Sequence, residues 1–75
     1  MVFSPSMQQP SSRELEVLKL IVEGYSNREI AQELNLSHNT IKTHVRSLLN
    51  KFGVNRRIQL VAIAMALDSR NTFPS

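Results

Sequence analysis

The chain has 75 residues, no cysteine, and nine Lys and Arg against six Asp and Glu, a net charge of +3 with a calculated pI near 10.0. That length allows one small domain with a thin core, burying ~60–65% of the surface of its unfolded chain. Disulfides and thiolate metal sites are excluded, and the longest apolar run, residues 60–67, falls well short of the ~20 residues a membrane span needs. The missing cysteines fit a cytoplasmic protein.

In chain order, residues 1–10, with "SPSMQQP" at 4–10, carry prolines and polar residues without a period and read as a flexible lead or linker. "SSRE" at 11–14 has the spacing of a capping box, with Ser11 as cap and Glu14 reaching back. Helix one follows, with Leu15, Leu18, Ile21 and Val22 as its expected buried stripe and Gly24 as its stop. "SNRE" at 26–29 repeats the capping box and opens helix two, whose inner face is Ile30, Ala31 and Leu34. Asn35 tolerates a left-handed conformation and ends it. Leu36 packs back as a plug, and Ser37 caps helix three, from His38 to about Phe52, stopped by Gly53. Asn55 is the expected cap of helix four, residues 56 to about 67. Residues 69–75, "SRNTFPS", read as a fraying tail. No strand is expected. The fold class is all-α, a four-helix domain over 11–68 in which helices two and three have the size and spacing of a helix-turn-helix.

Charge is segregated along the chain. Five of the six acids lie between Glu14 and Glu33, and the next is Asp68; between them come Lys42, Arg46, Lys51, Arg56 and Arg57. Such one-sided charge suggests a polyanion partner. On helix three, Ile41, Val45, Leu48 and Phe52 share one side. Asn39, Thr43, Arg46 and Asn50 take the other, with Lys42 at its edge and Thr40, Ser47 and Lys51 along a second edge. Base edges are read by donors and acceptors, and phosphates by cations and short polar groups. Arg46 can fork onto guanine, Lys42 can do so less rigidly or bind phosphate, and Thr43 can touch a thymine methyl or a phosphate. Helices one and two place Glu three residues after the cap, whereas helix three places Thr40 there, which leaves its positive end open to a phosphate. Lys51, Arg56 and Arg57 cluster at the link to helix four and are candidate phosphate clamps; for Lys51 the plainer role is a cation at a helix C-terminus.

The two histidines are six residues apart, not the three or four that put two zinc ligands on one helix face. His44 reads as a packed, hydrogen-bonded side chain and His38 as a solvated one. No metal, cofactor or small-molecule ligand is expected, and no nucleophile–base constellation or glycine-rich phosphate loop is visible, so the chain does not read as an enzyme.

Helix four, "RIQLVAIAMAL" at 57–67, is apolar almost all round. Ile58, Val61, Ala62 and Met65 form one stripe; Leu60, Ile63, Ala64 and Leu67 form the opposite one. A four-helix domain buries one of them in its own core. The other suits a second subunit, and composition does not distinguish the two; Ile58, Val61, Ala62 and Met65 are the nominated dimer contacts.

These residues carry a family resemblance. "RELEVLKL" (13–20), "EGYSNREIAQELNLS" (23–37), "NTIKTHV" (39–45) and "NKFGVNRR" (50–57) together resemble the LuxR-type helix-turn-helix domain, also called the GerE or NarL type, over about residues 11–67. The resemblance implies a four-helix DNA-binding domain of a transcription regulator that dimerises through its last helix. It implies double-stranded DNA and a second copy as partners, with RNA polymerase as a further one. On matching positions it makes Lys42, Thr43 and Arg46 base readers, and assigns phosphate contacts to Ser26, Asn27, Thr40, Lys51 and Arg57. Asn39 and Arg56 join the phosphate set from the residue reading. The chain departs from the family pattern at Pro10 and Ser11, where leucine then threonine is usual, at Phe52 for leucine, and at Leu60 for alanine. The competing reading is a protein-interaction module that uses helix four to bind or sequester another regulator.

Overall fold

The computed structural model describes the backbone of residues 9–72 and the side chains of residues 9–67. Four helices follow one another: α1 (Ser12–Val22), α2 (Asn27–Leu34), α3 (His38–Phe52) and α4 (Arg57–Thr72). Among the described residues there is no strand, and no helix is long and apolar enough to cross a membrane.

Local chemistry sets the first three starts. Ser11, Ser26 and Ser37 each sit in extended backbone and accept the N–H three residues on. At Ser11 and Ser26 the glutamate returns the bond to the serine N–H, Glu14 at 2.9 Å and Glu29 at 2.8 Å, which completes both capping boxes.

The three stops share one geometry. Gly24 (φ +95), Asn35 (φ +58) and Gly53 (φ +69) take the left-handed conformation. The next residue then donates back across the last turn: Tyr25 to Leu20 at 3.0 Å, Leu36 to Ala31 at 2.9 Å, and Val54 to Leu49 at 3.0 Å. These bonds satisfy carbonyls that the helix end would otherwise leave unpaired. Asn at 35 works because its side chain tolerates the left-handed region better than most.

The core collects Val17, Leu18 and Ile21 from α1, Ile30 and Ala31 from α2, Ile41, Val45, Leu48 and Phe52 from α3, and Leu60 from α4. α1 packs against both α3 and α4, and α2 lies mainly on α3. Leu36 seats against this cluster beneath the turn. Burial of each large side chain contributes about 1.5–3 kcal/mol. The large Leu60 is accommodated outright, at 1% exposure.

Two expectations are corrected. Leu15 is not a core residue: it is 50% exposed, and Val17 takes its place in the core. The buried arc of α1 is centred on Glu14, Val17, Leu18 and Ile21, and Leu15 lies about 100° round from Glu14. Helix four also differs at both ends. The two N–H groups just ahead of it are held from within the helix, since Gln59 Oε1 accepts from Asn55 N at 3.0 Å and from Arg56 N at 2.9 Å. The Asn55 side chain makes no such bond among the described residues. At the far end the helix continues to Thr72, through residues 69–72 of the expected tail. Residues 1–8 of the expected lead and 73–75 of the tail lie outside the described residues.

Candidate nucleic-acid interface

α3 presents the surface expected of it. Its inner face, Ile41, Val45, Leu48 and Phe52, is buried. His38, Asn39, Lys42, Thr43, Arg46 and Asn50 are exposed and wind round the opposite side at helical spacing. Lys42 and Arg46 stand four residues apart on that side, an arrangement of like charges that destabilises a helix by a few tenths of a kcal/mol unless an anion relieves it. Among the described residues, neither they nor Arg56 enters an ion pair; the pairs are Arg13–Glu16 and Lys51–Glu14.

Hydrogen bonds fix what the short side chains can offer. Ser37 Oγ accepts from Thr40 N at 3.0 Å and donates to Thr40 Oγ1 at 2.8 Å. The Thr40 hydroxyl proton is therefore left to point outward, as a donor to an anion at the helix start. Thr43 Oγ1 donates back to the Asn39 carbonyl at 3.1 Å. With its proton used, Thr43 shows a methyl group and an oxygen lone pair, which suits a thymine methyl or a base amino group better than a phosphate.

The start of α2 is more occupied. Ser26 N–H is taken by Glu29, so Ser26 offers its hydroxyl proton. Asn27 Oδ1 accepts from Arg57 Nη1, and Arg57 Nη2 donates to the Tyr25 carbonyl at 2.7 Å. Among the described residues the Asn27 amide nitrogen has no acceptor and remains as a donor.

The structure separates the expected phosphate residues into two kinds. Ser26, Asn27, Asn39, Thr40 and Arg56 keep a donor or a charge open to solvent. Lys51 and Arg57 do not stand free. Lys51 Nζ lies 2.7 Å from Glu14 Oε1, and Ser47 Oγ donates to Glu14 Oε2 at 2.6 Å. Glu14 is only 6% exposed. Burial by itself would raise its pKa; the hydrogen bonds from Lys51, Ser47 and the Ser11 backbone, with the Lys51 charge, outweigh it and hold the carboxyl at about 2. Lys51 is thus a neutralised member of an α1–α3 clamp. Arg57 is half-buried, and burial pulls its pKa below the usual arginine value. Its partners are neutral oxygens, so its charge persists.

His44 is half-buried beside the core face; the hydrogen bond expected of it is absent among the described residues. No group of three or more His, Cys, Asp or Glu among them could hold a metal ion.

A family model described as "Bacterial regulatory proteins, luxR family" matches residues 9–64. The chain belongs to this luxR family.

Curated luxR-type relatives extend the match. The HTH-type transcriptional regulator MalT of Yersinia pestis (strain Pestoides F) is 49% identical over 57 residues, covering 76% of this chain and 6% of MalT. The transcriptional regulatory protein DegU of Brevibacillus brevis is 51% identical over 49 residues, 65% of this chain and 21% of DegU. The chain thus spans a small part of the curated relatives it matches. Among solved structures, the RcsB response regulator of Salmonella typhimurium superposes with a TM-score of 0.76 at 37% identity, covering 79% of this chain and 28% of RcsB. The four-helix arrangement is therefore that of a luxR-type helix-turn-helix DNA-binding domain, typical of transcription regulators.

Proposed function

We propose that the chain binds duplex DNA sequence-specifically to regulate transcription, with α3 in the major groove. The observation that carries this reading is the exposed, acid-free stripe of Asn39, Lys42, Thr43, Arg46 and Asn50 on a helix whose opposite face is wholly buried. Arg46 and Lys42 are the guanine-directed donors, and Thr43 supplies the methyl contact. Ser26, Asn27, Asn39, Thr40 and Arg56 hold the backbone on either side. Lys51 and Arg57 support the interface from behind rather than gripping it. With DNA as its partner, the proposed site of action is the cytoplasm.

The exposed side of α4 supports a dimer. Ile58 is 66% exposed and Met65 57% exposed, with Ala62 between them and Val61 half-buried at the edge. A twofold axis along this stripe would set two copies of α3 on half-sites one DNA turn apart, ~34 Å. The same stripe keeps a second reading in play, in which α4 binds another regulator and α3 reads nothing.

Selection of duplexes from a random-core library by the purified chain separates the two. DNA reading predicts an enriched site whose affinity falls steeply as salt rises, since each neutralised phosphate releases counterions. No retention of any duplex at low ionic strength, together with capture of a heterologous regulator, would establish the second reading instead.

A further inference from the structure

The Arg57 guanidinium lies where three segments meet. It enters from the first turn of α4, donates to the Tyr25 carbonyl in the turn between α1 and α2, and donates to Asn27 Oδ1 in the first turn of α2. Both bonds reach about thirty residues back along the chain. Gly24, in the same turn, takes φ +95, and Tyr25 donates to the Leu20 carbonyl and packs against the edge of the core, which fixes where the Tyr25 carbonyl stands.

An asparagine amide has one accepting and one donating end, and a half-turn about its last bond exchanges them. With Arg57 present, only one orientation is stable, because the other would aim Asn27 Nδ2–H at a guanidinium N–H. The oxygen is thereby turned inward and the NH2 outward. The adjacent cation also polarises the amide and makes that NH2 a better donor.

We infer that Arg57 is a positioning residue for DNA binding: it locks the Asn27 amide with its NH2 toward the phosphate backbone, and it makes no phosphate contact itself. This rests on the DNA-binding reading above. It assigns to a guanidinium at the start of α4 control over a contact made by α2. The geometry also favours arginine over lysine there. A lysine ammonium keeps the charge but cannot span a carbonyl and an amide oxygen with a planar fork.

The test is a double-mutant cycle on the full chain, using the duplex enriched by selection on the parent, at fixed salt and below the melting temperature of every variant. Asn27→Ala is expected to weaken binding about tenfold to a hundredfold, the loss of one hydrogen bond to a charged group. Arg57→Lys should weaken it to a similar extent, yet add less than about twofold in the Asn27→Ala background, since its effect runs through that side chain. In the free protein the Asn27 side-chain NH2 resonances should shift in Arg57→Lys while core methyl signals stay in place, a change that a global loosening would not produce. Parent-like binding by Arg57→Lys, or full additivity with Asn27→Ala, overturns the inference and returns Arg57 to the role of a simple cation. A parent chain that retains no duplex overturns the DNA-binding reading itself, which the cycle keeps distinct from the first two outcomes.

Discussion

Glu14 and Lys51 are 37 positions apart in the chain and meet at 2.7 Å. The same carboxylate accepts the Ser11 N–H that opens α1 and the Ser47 hydroxyl on α3. One acid thus caps its own helix and pins the C-terminal half of the proposed recognition helix. Replacing it with glutamine keeps an acceptor but leaves the Lys51 ammonium, itself only 20% exposed, without its counter-charge. Glu14→Gln should destabilise the domain by roughly 2–4 kcal/mol, a little below the ~3–5 kcal/mol of a fully buried pair because Lys51 keeps some contact with solvent. Urea titration of both proteins measures this, and a midpoint shift near zero would show that the clamp is ornamental.

The same carboxyl makes stability depend on acid. Its folded pKa is about 2 against an ordinary 4.5. A depressed folded pKa contributes stability that is fully present above 4.5 and is lost as pH falls toward about 2. The contribution is on the order of 3 kcal/mol. The parent's urea midpoint should fall across that window, and the Glu14→Gln curve should be flatter there. Parallel curves would place the acid-sensitive group elsewhere.

Arg46 is exposed on α3 and enters no ion pair among the described residues. Arg46→Ala should weaken binding to the selected duplex by roughly 1–3 kcal/mol and relax preference at one base position, while leaving the fold intact. Repeating the selection with the variant reads this directly; an unchanged motif would remove Arg46 from the base readers.

Arg56 is exposed just ahead of α4, with its backbone N–H held by Gln59. As a phosphate cation it carries no sequence information. Arg56→Ala should reduce the slope of log affinity against log salt by about 1, with the selected motif unchanged. Fluorescence anisotropy across a salt series checks this.

Met65 stands at the C-terminal end of the exposed α4 stripe. Met65→Glu should abolish self-association while changing monomer stability by less than about 0.5 kcal/mol, as expected for a half-exposed site. Sedimentation with and without a two-half-site duplex is the measurement. A parent that stays monomeric in both states would defeat the dimer proposal.

Much of the fold could be read from segments of six residues or fewer. Ser11, Ser26 and Ser37 announce three starts, and Gly24, Asn35 and Gly53 three stops, because capping and left-handed turns are decided by adjacent residues. The α3 stripe was equally legible, since helical period alone sorts Ile41 and Val45 from Lys42 and Arg46. The α1 face is harder to read because its centre is occupied by an acid. A buried Glu14 looks polar in the sequence, which shifts the apparent apolar arc toward Leu15 and away from Val17. The pairings of Lys51 and Arg57 are hidden in the sequence for a related reason: their partners Glu14, Tyr25 and Asn27 are brought near only by tertiary folding. The end of α4 is not legible because "DSRNT" at 68–72 carries no apolar period, although the helix runs through it.

The three left-handed corners each close through a hydrogen bond between residues five apart. They can therefore form on the microsecond scale of local events, before any distant segments have met. The slower search is left to α1 and α4, the first and last helices, whose docking must close the whole loop of intervening chain. Substitutions at the corners should accordingly alter how quickly hairpin-like fragments assemble, whereas substitutions where α1 meets α4 should govern how long the finished domain survives before it opens.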